Sequence, residues 1–183
     1  LVAQADGDNA LVESQEDNNT NARSIQIGAD LTIAVFTTPA TAGAGAVMSV
    51  SDTTKNQGGG AAGSSTTKFY LSTNSALDAG DVLLGSRAVP ALAAGAQSAG
   101  ATTLTIPAGT ATGSYYLIAQ VDGDNAVAET QEGNNTNARS IQIGSDLVVF
   151  SLTVSPYAAG AGGTMTVSDT TKNQGGGTAG AST

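Results

Sequence analysis

Between residues 30 and 143, apolar and polar positions alternate with a period of two in seven segments. Gly, Pro, Asn and Asp separate them. Residues 30–37 place Leu31, Ile33 and Val35 on one face, and 46–54 turn Met48 and Val50 inward. The segment 66–73 carries Phe69 and Leu71, and 102–106 carries Leu104 and Ile106. The segment 82–92 is interrupted near Pro90, which predicts a sheet edge, because proline cannot donate to a ladder. Residues 113–122 alternate Tyr115, Leu117, Ala119 and Val121 against Ser114, Tyr116, Ile118 and Gln120, and 138–143 close with Ile141 and Ile143. No segment shows a helical period. Seven strands with regularly spaced turns predict an all-β fold, an immunoglobulin-like seven-stranded antiparallel β-sandwich.

The pattern repeats. Residues 1–28 match 117–144 at 22 of 28 positions, and VSDTTKNQGGG at 50–60 recurs unchanged at 167–177. One residue is inserted between these blocks, before Pro156. The expected organisation is the C-terminal part of a preceding repeat (1–28), one complete repeat (29–144) and the N-terminal part of a following repeat (145–183), cut from a longer tandem array. Only two or three residues separate the last strand of one unit from the first strand of the next. Such a link bends far less than a Gly/Ser linker. A stiff rod follows, each repeat adding roughly 35–45 Å if a strand rises about 3.3 Å per residue.

Composition narrows the chemistry. The chain has 183 residues, no Cys and no His, which excludes disulfides, Cys or His zinc sites and nucleophile–His catalysis. Net charge is −9 with only six Lys and Arg, so nucleic acid is not an expected partner. No stretch approaches the ~18 apolar residues of a membrane span. Paired carboxylates could suggest a glycosidase, but the chain lacks Trp and is poor in other aromatics for a sugar cleft. No enzymatic activity is expected.

The segment 122–135 concentrates oxygen donors: Asp122, Asp124, Asn125, Glu129 and Glu132, with equivalents Asp6, Asp8, Asn9, Glu13 and Glu16. Carboxylates and amides at this density can ligate Ca²⁺, although the spacing is not that of an EF-hand. The same residues suit turns and loop capping. Lys55–Gly60 is glycine-rich but lacks P-loop spacing, and a flexible loop between the second and third strands is expected there.

Several blocks together resemble the CARDB family, the cell-adhesion-related domain of bacteria. They are DLTI, TTKNQGGG, TKFYLST, LLGSRAVPAL, TIPAGTATGSYYLIAQVD and NAVAETQEGNN, in family order across 29–144. The resemblance implies an immunoglobulin-like sandwich in exported prokaryotic proteins, hence an extracellular or cell-surface location and no activity of its own. Two functions are expected. One is a structural repeat forming a stiff stalk or filament, its partners being neighbouring identical repeats or subunits. The other is an adhesive module contacting a glycan, a protein or another cell through the long loop between the last two strands.

Overall fold

The computed structural model describes residues 1–182. Its centre is an antiparallel sandwich. β3 (Leu31–Thr37), β5 (Val47–Asn56) and β8 (Gln97–Thr105) form one sheet in the order β3-β5-β8. β4 (Thr41–Ala42), β6 (Ser65–Ser72), β7 (Val82–Val89), β9 (Gly113–Gln120) and β10 (Thr136–Ile143) form the other, in the order β4-β10-β9-β6-β7. β7 lies at an edge, as Pro90 predicts, and the short β4 runs parallel to β10.

The inward faces follow the alternation. Met48, Val50, Phe69, Leu71, Leu104, Ile106, Leu117, Ala119, Val121, Ile141 and Ile143 are buried in one core between the sheets. The rings of Phe36 and Phe69 stack inside it with centroids 6.0 Å apart. One face differs from expectation. The β3–β5 register shifts between Ile33 and Val35, so Ala34 is an extra residue in the ladder. A bulge reverses the alternation beyond it. Val35 is therefore exposed and Phe36 takes the core position. Ile118 is also buried, because β9 is the central strand of its sheet.

The sheets are tied by one ion pair that the pattern does not announce. Arg87 on β7 donates from Nε to Asp52 Oδ1 at 2.8 Å and from Nη2 to Asp52 Oδ2 at 2.5 Å. The Asp52 side chain, on β5, is fully buried. Gly100 lies opposite Asp52 on β8, where a Cβ would fall 2.5 Å from Arg87 Cδ. The missing side chain there gives the guanidinium its path.

Two hairpins flank the sandwich: β1 (Val2–Gln4) with β2 (Thr20–Ala22), and β11 (Leu147–Ser155) with β12 (Thr166–Asn173). The second repeats the β3–β5 register, pairing Leu147 with Asn173 as Leu31 pairs with Asn56, and bulging at Phe150 as β3 does at Ala34. This register puts the inserted residue after Thr153. Positions that are core in the sandwich are bare in the hairpins. Ile143 is 3% exposed and its equivalent Ile27 is 81% exposed; Phe36 is 3% exposed and Leu152 is 63% exposed.

Candidate functional site

The Asp/Glu/Asn segment is a closed loop folded back on the start of the unit. Asp122 and Asn125 have positive φ (48° and 51°), as do Asp6 and Asn9 (44° and 53°). Asp and Asn tolerate this left-handed region better than other side-chain-bearing residues. Asp122 is buried, and its carboxylate accepts hydrogen bonds from the backbone N–H of Ala126 (3.1 Å) and Val127 (2.9 Å). Asp6 does the same for Ala10 and Leu11. Glu132 Oε1 accepts from the Glu129 N–H at 3.2 Å. Asp124 pairs with Lys68 Nζ at 2.6 Å, outside this network. Its carboxyl is held below the usual range, first by the Lys68 hydrogen bond.

Glu129 performs the long-range step. Its Oε1 accepts the Leu31 N–H, and its Oε2 accepts Asn135 Nδ2 at 2.6 Å. Beside it, Thr130 N–H donates to Ala29 O at 2.9 Å, and Asn134 Nδ2 donates to Asp30 Oδ1 at 2.8 Å. The loop near the end of the unit thus holds Ala29, Asp30 and Leu31, where the unit begins. Burial pushes the Glu129 carboxyl above its ordinary value. The Leu31 and Asn135 hydrogen bonds pull it back, and the charges of Glu132 and Asp122 raise it again.

The glycine-rich block completes the clasp, so the expected flexible loop is corrected to an anchored turn. Asn56 is fully buried at the end of β5. Its Oδ1 accepts the N–H of Asp30 and of Gly58, each at 3.1 Å, and its Nδ2 donates to Gly60 O at 2.7 Å and Leu92 O at 3.1 Å. Gln57 Nε2 donates to Asp30 Oδ2 at 3.0 Å, and the Gly60 N–H donates to Gly28 O at 2.8 Å. The second copy is built alike. Asn173 holds Asp146, Gly175 and Gly177, and Gln174 Nε2 reaches Asp146 Oδ2 at 2.8 Å. The short links 28–30 and 144–146 are therefore pinned by hydrogen bonds to the following hairpin.

In the complete unit Glu129 and Glu132 meet at Asn135 Nδ2, which donates to Glu129 Oε2 at 2.6 Å and to Glu132 Oε2 at 3.4 Å. Glu129 is drawn onto Leu31, and Asp124 onto Lys68. In the N-terminal copy Glu13 keeps the equivalent bond, accepting Asn19 Nδ2 at 2.6 Å, but has no counterpart of the Leu31 N–H among the described residues. Asp6, Glu13 and Glu16 there bring one oxygen each within 4.8 Å of one another. This surface trio can coordinate a divalent cation such as Ca²⁺. Asp8 and Asn9 stand in the same exposed turn.

A separate cleft of about 350 Å³ opens beside the turn between β6 and β7. Leu71, Pro107 and Tyr115 floor it, and Asp78 and Asp81 stand at its rim with Val82. The Asp78 carboxyl is held below its ordinary value, first by the Gly80 N–H and then by Asn74 Nδ2. Neither this cleft nor the Arg87–Asp52 pair is evident in the sequence, because their members come from distant strands and turns.

No curated protein matches the chain. Among solved structures, it is similar to the CARDB domain of the PF1109 protein from Pyrococcus furiosus in complex with di-metal ions. Identity is 22% and the TM-score 0.50, over 66% of this chain and 94% of that one. It is also similar to a domain of a Methanosarcina acetivorans protein provisionally assigned to the cell surface, at 23% identity and a TM-score of 0.47, over 64% of this chain and 92% of that one. The first likeness agrees with the sandwich described above. The CARDB family model matches residues 28–139, which takes in β3 to the first half of β10 and the whole clasp. The chain belongs to the CARDB family.

Proposed function

We propose that the chain is an adhesion-type module of an extracellular surface protein, arranged in series with further copies of its own repeat. The carrying observation is that both flanking hairpins reproduce strands of the central sandwich with their core positions bare. The preceding and following repeats are then the partners that cover Ile25, Ile27, Leu147, Val149 and Leu152. The domain boundaries fall at 28/29 and 144/145, inside the pinned links. Membership of the CARDB family supports a surface location.

Ligand contact is assigned to the cleft floored by Leu71 and Tyr115. The long loop turns Asp122, Glu129 and Asn135 inward, which supports the cleft over that loop as the contacting face. A solid-phase screen against glycans, matrix proteins and whole cells tests this. Binding that is lost in Tyr115→Ala or Asp78→Asn is expected. A chain that binds none of these surfaces is a stalk, and the second reading takes over. The pinned links favour that reading: a stiff stalk or filament would show scattering that lengthens linearly with repeat number.

A cation is assigned to the Asp6, Glu13 and Glu16 trio as it stands in this chain, where Glu13 does not hold a first strand as Glu129 holds Leu31, with the di-metal relative as support. Calorimetric titration with Ca²⁺ should lose its signal in Glu13→Gln and keep it in Glu129→Gln. An unsubstituted chain without signal at millimolar Ca²⁺ excludes the site.

A further inference from the structure

The three glycines of each Gln-Gly-Gly-Gly turn do different work. The outer two pack on the short link that leads into their repeat. A Cβ at Gly58 would fall 2.5 Å from Gly28 O, and one at Gly175 would fall 2.5 Å from Gly144 O. At Gly60 and Gly177 the nearest atoms are again Gly28 and Gly144 backbone, at 2.9 and 2.8 Å. These glycines are needed wherever the turn is made.

The middle glycine meets something else. A Cβ on Gly176 would land on Ala42, in the preceding unit, within 2.5 Å of its backbone N and C. From the other side, a Cβ on Gly43 would lie 2.9 Å from Gly176 O and 3.1 Å from Gly177 Cα. Both faces are backbone, so no side chain can swing aside to make room. At the equivalent Gly59, the nearest atom is Gln26 O at 3.8 Å, an ordinary contact. Gly160, the equivalent of Gly43, has nothing within 4 Å. Ala42-Gly43 recurs as Ala159-Gly160, and Gly59 as Gly176. Each repeat therefore carries both halves of one contact, at opposite ends.

We infer that the middle glycine of the turn is the seat that fixes the orientation of one repeat on the next, its partner being the Ala-Gly pair that ends β4 of the preceding repeat. The inference rests on the serial reading above. The contact is heterologous, head to tail, so it propagates along a chain rather than closing on itself. The pinned link sets where the next repeat starts, and the seat sets the angle at which it leaves. A single added methyl on either glycine forces the two backbones apart, which a hydrogen-bonded link of three residues can meet only by tilting.

The chain contains no cysteine, so spin labels can be placed uniquely at Ser86→Cys on β7 and Thr170→Cys on β12, and their separation read by pulsed electron resonance. The unsubstituted chain and Gly59→Ala should give the same single narrow distance distribution. Gly176→Ala and, independently, Gly43→Ala should shift and broaden it, with the thermal unfolding of the central sandwich unchanged. A narrow distribution that neither substitution moves overturns the seat and leaves the ordered serial link standing. A broad distribution in the unsubstituted chain overturns both the seat and the stiff serial reading.

Discussion

At the scale of single residues, the fold depends on a few polar groups that reach between distant parts of the chain. Glu129→Ala removes the acceptor for the buried Leu31 N–H, and should cost about 1–3 kcal/mol in urea unfolding. Glu129→Gln keeps that acceptor. Its new amide can donate to Asn135 Oδ1, which is buried without a partner here, once the Asn135 amide turns over. The substitution should be near neutral at pH 7. Because the folded carboxyl titrates above its unfolded value, the stability it confers is complete below the unfolded pKa and is lost as pH rises through the folded one. Relative to Glu129→Gln, the natural chain should gain stability as pH falls from 7 toward 4.5, read as a Tm difference that opens in favour of the natural chain. Arg87→Ala should cost more, about 3–5 kcal/mol, since it leaves Asp52 buried and unpaired. Gly100→Ala, which obstructs Arg87, should share the direction of that loss.

Among the elements, the strands are where alternation was informative. All seven predicted segments are strands, and their inward residues fill the core apart from Val35 and Tyr115, which only packs against it. Alternation could not foresee the extra residue at Ala34, because a bulge is a property of the paired ladder and not of one strand. Nor could it show that Glu129 meets Leu31 across 98 residues, or that Asp52 and Arg87 meet across the two sheets. Composition singled out the Asp/Glu/Asn loop as chemically distinct, yet most of its carboxylates hold backbone N–H groups. The glycine block looked mobile because glycine is permissive, but one buried asparagine anchors it. Asn56→Ala should lower stability by about 2–3 kcal/mol by orphaning several of its partners. Asn173→Ala should leave unfolding of the central sandwich unchanged, since its bonds lie in the exposed second hairpin. Parallel melts of the two variants check this.

For the whole molecule, the apolar faces of the hairpins dominate. Leu147, Val149, Leu152, Met165 and Val167 are exposed together on β11, β12 and the adjoining loop. Exposed apolar surface of this kind associates. Sedimentation should show concentration-dependent self-association that falls when Leu147, Val149 and Leu152 are replaced by Thr, with the Tm of the central sandwich unchanged. The acidic surface opposes close approach at low ionic strength, so added salt should strengthen that association.

The Glu129 clasp also imposes an order on the life of the chain. During synthesis and export, Leu31 is made long before the residue that secures it. A contact spanning most of the repeat is also slow to find, because loop closure must precede it. In the serial arrangement we propose, each repeat waits, with its first strand unfastened, until its own last hairpin has emerged, by which time almost nothing of the next repeat exists. Where neighbours are nearly the same in sequence, that timing keeps a first strand with its own sheet and away from the copy that follows.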